Sequence, residues 1–87
     1  MLQEFIGRFT TLHGARANVQ IKHMLYGNQK MKKCVLHPFA DGEHIGLIID
    51  GEERYINMDE LSDVFIDNNS CHIKSNVMEL YINHIEL

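Results

Sequence analysis

The residues best equipped for chemistry in this 87-residue chain are two cysteines and six histidines. Cys34 and His37 lie three positions apart, and Cys71 and His72 are adjacent. Two thiol–imidazole pairs are the donor set of a structural zinc site, which holds its ion tetrahedrally between two close pairs of ligands. The spacing works against that use. In a strand, positions i and i+3 point to opposite faces, as do i and i+1, so neither pair chelates unless its backbone bends. Pro38 beside His37 and the Asn68-Asn69-Ser70 run before Cys71 mark where such bends would fall. A zinc-stabilised fold is therefore the third expectation, and isolated buried cysteines are the plainer one.

Thiol catalysis needs a neighbouring base and a third group to orient that base. With six histidines, and eleven acids after residue 40, such a triad can always be drawn and carries no information. No Gly-rich phosphate loop, Walker lysine or HExxH is present. The acids around Asp41, Asp50 and Asp59 belong to turns and lack the EF-hand spacing. A domain this small rarely encloses a water-excluding pocket. The chain is expected to be no enzyme and to carry no cofactor.

The net charge of −4 conceals an asymmetry. Up to residue 40, six basic residues oppose Glu4 alone, a net +5; from Asp41 onward, Arg54 and Lys74 oppose eleven acids, a net −9. Arg16, Lys22, Lys30, Lys32 and Lys33 would form a basic patch, with Tyr26 placed to stack on a base. Phosphate binding depends on positive potential, and a pI near 5.8 requires the acids to lie on the far side. Nucleic-acid binding by the basic half is the second expectation. The histidines add a pH argument, because any that are buried neutral would destabilise the fold on acidification.

These residues have to be positioned by short elements. Leu2, Phe5, Ile6, Phe9 and Leu12 follow helical spacing, which predicts a helix over residues 2–12 stopped by Gly14 and capping an open end of the core. Ala17, Val19, Ile21, His23 and Leu25 alternate with polar residues, a half-buried strand over 17–25 followed by a turn at 26–29. A partner strand over 30–39, ambiguous in its faces and so bulged or doubly buried, ends at Pro38. His44 to Ile49 lies between two Asp-Gly turn signals and reads as a middle strand with a hairpin partner on each side. Ile45, Leu47 and Ile49 form its core face, and Gly46 marks close packing or a sharp bend. Short strands at 55–58, 64–66 and 71–74 follow, with residues 59–63 either one helical turn N-capped by Asp59 or an acidic corner between strands. A terminal strand then sets Met78, Leu80, Ile82 and His84 against Tyr81 and Ile85.

One helix followed by five to seven short strands at about ten-residue spacing indicates a single domain over residues 1–87, mainly β with one N-terminal helix. In architecture alone this bent antiparallel meander resembles the SH3-like and Sm-like barrels. The glycine and asparagine pattern with which Sm-type proteins hold RNA is not visible, so the resemblance implies no residue roles. No apolar run approaches a membrane span, and the N-terminus carries Glu4 and lacks a signal-peptide core, so a soluble cytoplasmic protein with reduced thiols is expected. The last strand carries apolar groups on both faces and neither lysine nor proline to block an edge. Hence the first expectation is a protein–protein interaction or self-association module, with Phe5, Phe9, Tyr81 and Ile85 at the interface of a homo-oligomer.

Overall fold

The computed structural model describes residues 2–87. Helix α1, Leu2–Thr10, ends two residues earlier than its apolar spacing predicts. The threonines end it: Thr10 Oγ1 donates to the Ile6 carbonyl at 2.9 Å, and Thr11 Oγ1 to the Arg8 carbonyl at 2.6 Å. Such back-bonding competes with the helical ladder. Gly14 follows at φ 86°, a left-handed position that glycine takes without strain.

Eight strands follow: β1 Arg16–His23, β2 Gly27–Val35, β3 Pro38–Ala40, β4 His44–Ile49, β5 Glu52–Asn57, β6 Leu61–Ile66, β7 Cys71–Ser75 and β8 Met78–Glu86, with one 3-10 turn at Met58–Glu60. They form two antiparallel sheets, β2-β1-β8-β7-β6 and β3-β4-β5. Neither sheet closes on itself, so the barrel expectation is met only as a mainly β fold of antiparallel strands with one leading helix. The strand count exceeds the predicted five to seven because the segment predicted as one strand over 30–39 divides into β2 and β3. It breaks at Leu36-His37, where the chain passes from the first sheet to the second. There the Leu36 N–H donates to Ala15 O at 2.7 Å, and the Ile48 N–H to His37 O at 3.0 Å. Pro38 therefore opens a strand instead of ending one. Between β5 and β6 the expected single helical turn is the 3-10 turn Met58–Glu60, with Asn57 and not Asp59 at its N-cap.

The inner faces of the two sheets meet in one core. Val19 and Ile21 from β1, Ile73 from β7 and Leu80 and Ile82 from β8 face Ile45, Leu47 and Ile56 from β4 and β5. Phe5 and Phe9 stack at 5.7 Å within it, and α1 packs against β3 and β6, one from each sheet. The helix thus closes one end of the space between the sheets, as its apolar stripe predicts. Gly46 lies opposite Tyr55, and a Cβ there would collide with the Arg54 carbonyl oxygen and stand 2.7 Å from Tyr55 Cα.

Local chemistry corrects several boundaries. The first hairpin turns at residues 24–26, earlier than predicted, because His23 Nδ1 accepts the N–H groups of Leu25 and Tyr26 at 3.1 and 3.3 Å. Leu25 consequently leaves the core face. Of the two Asp-Gly signals, only Asp50-Gly51 forms a primed turn, with φ 52° and 80°. At Asp41 the side chain closes the loop instead, accepting the N–H groups of Glu43 and His44, each at 2.7 Å. In β8, His84 sits in a bulge at φ 54°; the face alternation slips there, so Ile85 is buried and His84 is exposed.

Candidate functional site

Sites predicted from sequence disperse or reassemble. The zinc quartet does not converge. Cys71 and Ile82 are paired inside the core, His72 lies on the opposite face, and Cys34 and His37 straddle the corner at Leu36. Among the described residues no three His, Cys, Asp or Glu side chains stand together to hold a metal ion. Both cysteines are free. Burial pushes the Cys71 thiol up to about 12; burial, then the charge of Asp50, raises that of Cys34. Neither thiol is poised as a nucleophile. None of the six histidines is buried.

The interface expected on α1 and the last strand is corrected as well. Phe5, Phe9 and Ile85 are core residues. Strand β8 is no edge: it lies at the centre of the five-stranded sheet, between β1 and β7. Of the four residues only Tyr81 reaches the surface.

Tyr81 belongs to an ordered outer face. Strand registers place Lys30, Gln20, Tyr81, His72 and Phe65 in one row across all five strands. The His72 ring lies 4.8 Å from Tyr81 and 5.6 Å from Phe65. Lys22 Nζ and Lys74 Nζ stand 5.2 and 5.6 Å from the Tyr81 centroid, within cation–π range. Tyr81 also donates its hydroxyl to Glu79, whose carboxylate raises the phenol's pKa. On one flank runs a charge ladder, Asp63, Lys74, Glu79 and Lys22. On the other, Asn18, Gln20, Lys30, Lys32, Asn69 and Asn83 line a groove of about 410 Å³.

So of the predicted basic patch, Lys22, Lys30 and Lys32 share this face, while Arg16 and Lys33 border a smaller groove at its end beside the bulges. Tyr26 is elsewhere. It stacks on His23 at 4.5 Å at the far hairpin tip. The charges separate by sheet: residues 38–60, which hold the three-stranded sheet, carry seven acids against Arg54, a net −6, and the rest of the chain carries +2. Around β8 the two halves interleave instead, in the ladder.

A cavity of about 620 Å³ lies at the end of the fold that α1 leaves open. Ile21, Ile56 and Met78 form its apolar floor, and Tyr26, Tyr55 and Val77 stand at its walls. Beside it Met24, Leu25 and Tyr26 are 72, 74 and 83% exposed. The sequence pattern had assigned these residues to a strand end and a turn. Their signal was the apolar run Met24-Leu25-Tyr26 directly before Gly27, which takes φ 80°. The aromatic row was hidden because its members come from three separated segments, joined only by register. Compared with protein-family models, curated proteins and solved structures, the chain matches none of them.

Proposed function

We propose that this chain is a non-enzymatic self-association module whose contact surface is the open end of the fold. One observation carries this reading: three consecutive large apolar residues, Met24, Leu25 and Tyr26, project into solvent at the rim of an apolar-floored cavity. Consecutive exposed apolar side chains are a solubility liability unless a partner covers them. The partner that fits is a second copy. Projection and cavity lie at the same end, so two copies related by a two-fold axis each present the tip to the other's cavity, the isologous arrangement of most homodimers. Tyr26 and Tyr55 supply the aromatic anchors that such contacts favour.

We further read β2–β3 and β5–β6 as corner strands of an SH3-like or Sm-like bent meander. The free thiols Cys34 and Cys71 fit a reducing compartment, and the cytoplasm is the proposed location. No helix among the described residues is long and apolar enough to cross a membrane.

Sedimentation equilibrium tests the reading. The wild-type chain is expected to dimerise with rising concentration, and Leu25→Asp and Val77→Asp, neighbouring positions at the rim of the cavity, each to return it to monomer. A wild-type chain that remains monomeric at high concentration overturns the proposal.

A further inference from the structure

We infer that the outer face of the five-stranded sheet binds single-stranded nucleic acid, with bases on the Phe65–His72–Tyr81 row and phosphates on the surrounding lysines. Three independent features converge there. The first is the row itself: three rings on adjacent strands, with successive centroid separations of 5.6 and 4.8 Å. The rings are inclined to one another, by 43° and 70°, and half-exposed Phe65 has the most open ring for a base of an unpaired strand, with Tyr81 accepting one when its lysines turn aside; stacking of this kind tolerates any base. A duplex keeps its bases stacked on one another and has no face to offer.

The second feature is the distribution of cations. Lys22 and Lys74 reach over the Tyr81 ring from either side in register, and Lys30 and Lys32 lie further along the same face. Against these four stand Asp63, Asp67 beside His72, and Glu79, so the face is net positive by one in a chain that is net −4. The net −6 of residues 38–60 belongs to the other sheet, which packs on the inner side of this one. A polyanion on the outer face is therefore shielded from most of the chain's acids by the core. When a base settles on Tyr81, the two ammonium groups now held over the ring are free to turn to phosphates.

The third is the amide-lined groove beside the row. Asn18, Gln20, Asn69 and Asn83 border it with Lys30 and Lys32, and Gln20 and Lys30 are also members of the row. Carboxamides both donate and accept, which suits the edges of unpaired bases and sugar hydroxyls. The groove is held by backbone that the sequence does not favour: Lys33 and His84, non-glycine residues at φ 51° and 54°, form bulges on the two strands flanking β1 at Asn18. Bulges of this kind collect beside binding sites.

Fluorescence anisotropy with a labelled single-stranded oligonucleotide and the matching duplex tests the inference. The single strand is expected to bind better than the duplex, and more weakly as salt rises from about 50 to about 200 mM. Tyr81→Ser and Phe65→Ser are each expected to weaken binding about tenfold, the value of losing one stacked base. Phe65 lies on edge strand β6 and is 47% exposed, so its variant keeps the test valid if Tyr81→Ser loosens the sheet. Lys30→Gln with Lys32→Gln should flatten the salt dependence. Gly42→Ala, on the β3–β4 loop of the other sheet, should leave binding unchanged. Absence of binding at low salt, preference for duplex, or binding indifferent to loss of either ring overturns the inference.

Discussion

The Lys33 N–H donates to Asn18 Oδ1 at 3.1 Å, a side chain of β1 filling the place where the β1–β2 ladder fails. The register jumps from Ala17↔Cys34 to Val19↔Met31, leaving Lys32 and Lys33 opposite Asn18 alone. Removing the acceptor with Asn18→Ala is expected to cost about 1 kcal/mol, the ordinary value of such a bond. Lys33→Gly is expected to stabilise the fold by about 0.5 kcal/mol, since glycine enters the left-handed region without the steric cost that lysine bears. Urea unfolding of both variants checks the pair. Equal and opposite shifts, with Asn18→Ala stabilising, would show that the bulge is not held in this way.

Gly46 is the one glycine among the described residues with no room for a side chain. A side chain there meets the backbone of β5, at the Arg54 carbonyl oxygen and Tyr55 Cα, and backbone cannot rotate aside. Gly46→Ala is therefore expected to cost about 3 kcal/mol or more, at or beyond the upper end of overpacking losses. Gly42→Ala, in open space at a loop, serves as the control and should change stability little. Thermal melting distinguishes them, and a Gly46→Ala chain that melts with the wild type would refute the close approach.

Much of the fold was legible where one local pattern determines the outcome. The alternation of Ala17, Val19 and Ile21 gave β1, and the spacing of Phe5 and Phe9 gave a helix whose apolar stripe is buried. Asp50-Gly51 gave its turn because both residues need positive φ. Legibility failed where a side chain replaced a backbone rule. His23 turned the chain early, Asp41 closed a loop that its Asp-Gly signal assigned to a primed turn, and the bulge at His84 exchanged the faces of His84 and Ile85. The candidate surface failed for another reason. Phe65, His72 and Tyr81 are neighbours only through the registers of β6, β7 and β8, and register across strands is not a property of any window of sequence.

The two thiols should differ sharply in reactivity. Cys71 is enclosed by the core, and its burial disfavours the thiolate that reacts. Cys34 lies partly exposed near the corner at Leu36. Titration with a thiol-specific disulfide reagent is expected to modify one equivalent in the folded protein and a second only on addition of denaturant. Cys34→Ser should abolish the first phase. Rapid modification of two equivalents in native buffer would contradict the packing of Cys71.

Acid should loosen the two loops that carboxylates hold shut. The N–H groups of Glu43 and then His44 hold the Asp41 carboxyl below its ordinary value of 3.8; those of Asn69 and then Ser70 do the same for Asp67. A group whose folded pKa is depressed stabilises the fold above its unfolded value and loses that contribution as pH falls through the folded value. Stability is thus expected to hold from neutrality down to about pH 5 and to decline below about pH 4 as the two carboxylates protonate. Asn presents the same acceptor oxygen without titrating, so Asp41→Asn combined with Asp67→Asn keeps the loops closed and removes their pH dependence. Melting temperatures across the acid range should fall less steeply for the double variant than for the wild type. Coincident profiles for the two proteins would mean that neither loop depends on its charge.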